Sequence, residues 1–101
     1  MSYENIPGLI GVYRLSGEKM IKITGKDLKI DQQKMINIIM ENMRIGDDEA
    51  KRIGLGSLRG FAMVVDNTGI LYLNGILIVV DARNTDWSTI IREAERGVIA
   101  A

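Results

Sequence analysis

The run Gly69-Ile70-Leu71-Tyr72-Leu73-Asn74-Gly75-Ile76-Leu77-Ile78-Val79-Val80-Asp81 decides how this chain folds. Asn74-Gly75 is the strongest short hairpin signal available, because both central residues of a type I′ turn need positive φ. Ile70 to Leu73 and Ile76 to Asp81 are therefore expected as neighbouring antiparallel strands. The second strand is apolar without interruption from Ile76 to Val80, where a half-buried strand would alternate. Both of its faces should be covered, which places it at the centre of a sheet.

Upstream of this hairpin, Phe61 to Asp66 has the character of a third strand, with Asn67-Thr68-Gly69 expected as its turn. Nearer the start, Leu9 to Leu15 and Met20 to Thr24 are short branched-apolar runs joined by Ser16-Gly17-Glu18, a connection of hairpin length. Between the two strand groups the period changes. Asp31 is a good N-cap, and Met35, Ile36, Ile38, Ile39, Met40 and Met43 follow at helical spacings. This predicts a helix from about Gln32 to Arg44, continuing through Gly46 and ending in Gly54-Leu55-Gly56. Downstream, Asn84-Thr85-Asp86 supplies a cap for a last helix whose stripe is Trp87, Ile90, Ile91, Ala94 and Val98, ending near Gly97.

Composition narrows the function. A chain of 101 residues supports a single domain (1–101), and 47% hydrophobic with 26% charged residues describes an ordinary folded protein. Thirteen basic residues balance thirteen acidic ones, so no net field draws the chain to nucleic acid or to an anionic membrane. Cysteine and histidine are absent. That removes disulfides, thiolate metal sites and a cysteine nucleophile, and with no convincing carboxylate pair an enzyme is not expected. Nothing in the sequence implies a cofactor. Met1 to Pro7 lacks the basic-then-apolar pattern of a leader, and no apolar run approaches the roughly 20 residues that span a bilayer, so a cytoplasmic location is the expectation.

Several stretches invite a site reading. Gly54-Leu55-Gly56-Ser57-Leu58-Arg59-Gly60 is glycine-rich, but it ends a helix and enters a strand, the reverse of a phosphate loop, so a helix stop is the better reading. Asp47, Asp48 and Glu49 are consecutive on a helix and point in different directions, as a solvated face would. Asp81, Asn84 and Asp86 could ligate calcium, but Arg83 falls where a ligand is needed, and capping is favoured. Lys19, Lys22, Lys26 and Lys29 lack the interleaved aromatics that nucleic-acid binding wants and are taken as a solvated edge.

The long helix is more informative. Its apolar positions sweep an arc of about 220°, wider than one sheet requires. Met35 and Ile39, continued by Ala50 and Ile53, are expected to face the sheet. Ile36, Met40 and Met43 are expected to form an outer ridge, and methionine suits such adaptable contact surfaces.

Two strands, a long helix, a three-strand meander and a closing helix resemble the roadblock family of dynein-associated light chains, most of all its short prokaryotic members. Pro7-Gly8-Leu9-Ile10-Gly11, Gly60-Phe61-Ala62-Met63-Val64-Val65-Asp66 and Gly69-Ile70-Leu71-Tyr72-Leu73 carry the resemblance. Many members have a helix before strand one, for which Met1 to Pro7 leaves no room. The resemblance implies an α/β (α+β) fold with a five-stranded antiparallel sheet in order 2-1-5-4-3. It also implies a homodimer paired through strand three and the long helix, with Ile36, Met40, Met43, Phe61, Met63 and Val65 at the interface. The function it implies is a scaffold or regulatory module docking another protein such as a small GTPase. A small-molecule-binding sensor domain is the alternative.

Overall fold

The computed structural model describes residues 3–100, without the side chains of Glu4 and of residues 97–100. After a 3-10 turn at Tyr3–Asn5 come β1 (Leu9–Ser16), β2 (Lys19–Gly25), α1 (Gln32–Arg52), β3 (Gly60–Val65), β4 (Thr68–Leu73), β5 (Ile76–Asp81) and α2 (Trp87–Ala100). The strands form one antiparallel sheet in the order β2-β1-β5-β4-β3, as expected. β5 is central, and Ile76 to Val80 are all buried.

The two helices cover opposite faces. On one, α1 lays Ile36 and Ile39 over Tyr13, Met20, Ile70, Tyr72, Leu77 and Val79. On the other, α2 sets Ile90 and Ala94 against Leu71, Leu73, Ile76, Ile78 and Val80. A sheet sandwiched in this way needs apolar residues on both faces, which is why β5 does not alternate. The second face is completed by Tyr3 and Ile6, buried to 5% and 3% exposure and packed in the same cluster. Nothing in the periodicity of Met1 to Pro7 announces that role.

The local devices follow the sequence. Asp31 caps α1, its Oδ1 accepting from the Lys34 N–H at 3.1 Å. Asp86 caps α2 through the N–H groups of Ser88 and Thr89. Asn74 and Gly75 take φ 44° and 88°, the pair of positive values a type I′ turn demands. α1 runs unbroken through Gly46 and stops at Ile53, after which Gly54 adopts φ 82°.

Three expectations are corrected. The β3–β4 turn is Asp66-Asn67, one residue earlier than Asn67-Thr68-Gly69, because Asp66 accepts the positive φ (53°) and frees Thr68 and Gly69 to pair with Val65 and Val64. α2 continues past Gly97 to Ala100, and Val98 lies outside the described side chains. The ridges of α1 are redrawn in part: Met35 and Ile39 pack on the core and Met40 is exposed, as expected, but Ile36, at 4% exposure, and Met43 also face the core, whereas Ile53, expected to face the sheet, is 71% exposed. The sheet-facing positions are Ile36, Ile39, Met43, Gly46 and Ala50, spaced by three and four residues along one side of the helix. Gly46 and Ala50 carry little side chain, and the space is taken by Leu58 from the following loop. A Cβ at Gly46 would stand 2.6 Å from a Leu58 methyl.

Candidate functional site

The sheet has two outer strands, and β3 is the more apolar of them at its free edge. Antiparallel pairing fixes which backbone groups of β3 are unpaired. The Asn74 N–H donates to the Arg59 carbonyl, and the register sets Phe61 opposite Tyr72, Met63 opposite Ile70 and Val65 opposite Thr68. In an antiparallel ladder these alternate residues direct both backbone groups to the neighbour. Gly60, Ala62 and Val64 therefore turn theirs outward. An open row of this kind templates the addition of another strand unless charge, proline or a covering element blunts it. β3 carries no charge and no proline, and Ala62, Val64 and Val65 are exposed.

Beside this edge lies an apolar cleft of about 470 Å³. Leu71 and Leu73 of β4 line it together with Gly60 and Ala62, and Leu55, Leu58 and Ile91 contribute further apolar walls. Its rim holds one ion pair, Arg59 Nη1 to Glu95 Oε1 at 3.8 Å, both side chains exposed. Leu55 is 79% exposed and Ile91 47%. Among the described residues, α2 packs chiefly on β4 and β5, and the cleft lies beyond it towards β3. The loop wall is held in place from below, where the Leu58 N–H donates to Asp47 Oδ1 at 2.8 Å. That bond and the Lys51 ammonium, at 2.9 Å, hold the Asp47 carboxyl below its ordinary pKa, Lys51 having the larger effect.

The six residues expected at a dimer interface divide by exposure. Met40 and Val65 are exposed. Met43, Phe61 and Met63 are half-buried, packed on the α1 side of the core, with the Phe61 ring tilted against Tyr72 at 6.2 Å. Ile36 is core and has no surface to offer. Sequence reasoning gave no binding role to the cleft residues Leu55, Leu58 and Ala62. Two leucines in a glycine-bounded loop, with no period to place them in a core, were the available signal.

The other stretches resolve into local structure. Asp47, Asp48 and Glu49 pair separately with Lys51, Arg44 and Arg52. Asp81 is bound by Arg83 and Asn84. Lys22 pairs with Asp27 at 2.8 Å, and Gly54 and Gly56 take positive φ as a helix stop and loop. Among the described residues, no three of His, Cys, Asp and Glu converge as a metal-holding group, and no helix is long and apolar enough to cross a membrane. Compared with family models, with curated proteins and with solved structures, the chain shows no significant match.

Proposed function

We propose that this protein is a non-catalytic, self-pairing interaction module that presents a paired surface to another protein, a small GTPase being the partner class its roadblock-like organisation suggests. The observation that carries the reading is the free edge of β3: unpaired backbone groups at Gly60, Ala62 and Val64 flanked by exposed Val64 and Val65, at 57% and 56%. A folded chain that leaves such an edge unblunted invites pairing. α1 also exposes apolar side chains, at Ile38, Met40 and Ile45. The lack of histidine and cysteine supports the non-catalytic part. A cytoplasmic setting, free of nucleic acid and membrane, fits the balanced charge.

The small-molecule sensor is the second reading, and the cleft of about 470 Å³ favours it, since ligand pockets fall in the range of about 300–1,000 Å³ and are mostly apolar. Light scattering decides between them. Self-pairing predicts a dimer at micromolar concentration and, for Met40→Glu, weaker association with unchanged monomer melting. A monomer of 11.2 kDa throughout, retaining a small molecule in native mass spectrometry, transfers the assignment to the sensor.

A further inference from the structure

The apolar cleft carries two opposite charges side by side at its rim, one from the loop before β3 and one from α2. We infer that it binds an apolar α-amino acid, with the side chain on Leu71 and Leu73, the carboxylate on the Arg59 guanidinium and the ammonium on the Glu95 carboxylate. Every group belongs to one chain, so the site is independent of self-pairing; it rests on the second reading, in which the cleft is a ligand site.

The walls supply the apolar part. Leu71 and Leu73 come from β4, Ile91 from α2, and Leu55 and Leu58 from the loop after α1. Leu55 and Ile91 are exposed, so the single chain leaves apolar surface here for a ligand to cover. The volume, about 470 Å³, gives room for the side chain of leucine or phenylalanine.

The rim supplies the charges. Among the described residues that line the cleft, Arg59 and Glu95 alone are charged. The Arg59 carbonyl accepts from the Asn74 N–H, which anchors its backbone to the sheet, and Glu95 stands one helical turn beyond Ile91 on the same side of α2. Their separation of 3.8 Å is longer than a hydrogen bond and both side chains are exposed, so the pair contributes little by itself and each head keeps donors or acceptors to offer. Such a rim discriminates by charge. A fatty acid satisfies Arg59 and is repelled by Glu95, an apolar amine does the reverse, and an uncharged ligand uses neither. An α-amino acid carries both complements on one carbon, through bonds of about 1.5 Å, and so meets two opposite charges that already lie together. The guanidinium N–H groups donate to its carboxylate, and its ammonium donates to Glu95.

An NMR titration of the isotope-labelled protein tests the site. The probes are leucine and phenylalanine, their deaminated acids isocaproate and hydrocinnamate, and the uncharged isoamyl alcohol. The two amino acids should bind saturably at millimolar concentration or below, with amide shifts centred on Gly60 and Ala62, and about tenfold more tightly than the deaminated acids. Alanine, which lacks the apolar end, should bind at least about tenfold more weakly than leucine. Arg59→Gln should weaken leucine and isocaproate alike, by about tenfold, whereas Glu95→Gln should weaken leucine by that factor and leave isocaproate unweakened. Both side chains are exposed, so melting temperatures should stay at the wild-type value. If isocaproate or isoamyl alcohol binds as tightly as leucine, the amino-acid assignment is overturned while the cleft stands as a ligand site. Equal effects of Glu95→Gln on leucine and isocaproate, or shifts centred away from Gly60 and Ala62, also overturn it. Absence of saturable binding by every probe overturns the inference together with the sensor reading, and leaves self-pairing to be decided by light scattering.

Discussion

Asp81 closes the turn between β5 and α2 by accepting hydrogen bonds from the N–H and guanidinium of Arg83 and from the Asn84 amide. Arg83 holds its carboxyl down to about 2, from an ordinary 3.8. Because the folded-state pKa is the lower one, the stability this carboxylate contributes is present above about pH 4 and is lost as the pH falls towards about 2. Asp47 and Asp86 shift in the same direction, so the test must isolate one group. The difference in melting temperature between the wild type and Asp81→Asn should shrink as the pH is lowered through that window. A constant difference would assign the acid sensitivity to the other carboxylates. The capping role of Asp86 was legible in the sequence, but Asp81, also expected as a helix cap, closes a turn instead, because its nearest donors are Arg83 and Asn84 rather than the first turn of α2. The burial of Tyr3 was not legible, because a single aromatic before β1 has no period from which its direction can be read.

α1 shows where reading a helix from its pattern succeeds and where it fails. Its existence and cap follow from Asp31 and the spacing after it, but its rotation does not. Met35 with Ile39, and Ile36 with Met40, are equally good stripes at four-residue spacing. The covered side draws on both, Ile36 and Ile39 being buried and Met40 exposed, and it continues to Gly46, whose missing side chain admits Leu58. Gly46 thus trades intrinsic helix stability for packing with the loop. Replacing it with alanine should gain up to about 1 kcal/mol of helix propensity, offset by displacing the Leu58 methyl. In the background of Leu58→Ala the offset disappears, so Gly46→Ala should stabilise that variant more than the wild type. A double-mutant cycle should give a coupling of at least about 0.5 kcal/mol. Additivity to within about 0.3 kcal/mol would mean that Leu58 does not occupy the space at Gly46.

In the whole molecule, the central place of β5 was legible because one apolar run, Ile76 to Val80, needed cover on both faces, whereas the placing of β1 rather than β2 beside it came only with the family resemblance. The layering was less legible: α2 packs chiefly on β4 and β5, and the opening of the cleft beyond it depends on helix placement, which hydrophobic period does not encode. Burial should map directly onto stability. Ile39→Ala, at 1% exposure, should cost about 2–5 kcal/mol, whereas Ile53→Ala, at 71% exposure, should stay within about 0.5 kcal/mol. Chemical denaturation of the two variants checks this, and comparable losses would mean that α1 is rotated from the position described. The strand order also has a consequence in time. β1 lies between β2 and β5, with Leu9 opposite Val80, so its second neighbour is synthesised only after α1, β3 and β4. During translation the first hairpin and α1 emerge with an unfilled seam between β1 and β4, and the domain closes only when β5 slides into it. Long-range closure of this kind is slow. The interval in which the second edge of β1 stands unpaired is when the nascent chain most needs protection from misassembly with its neighbours.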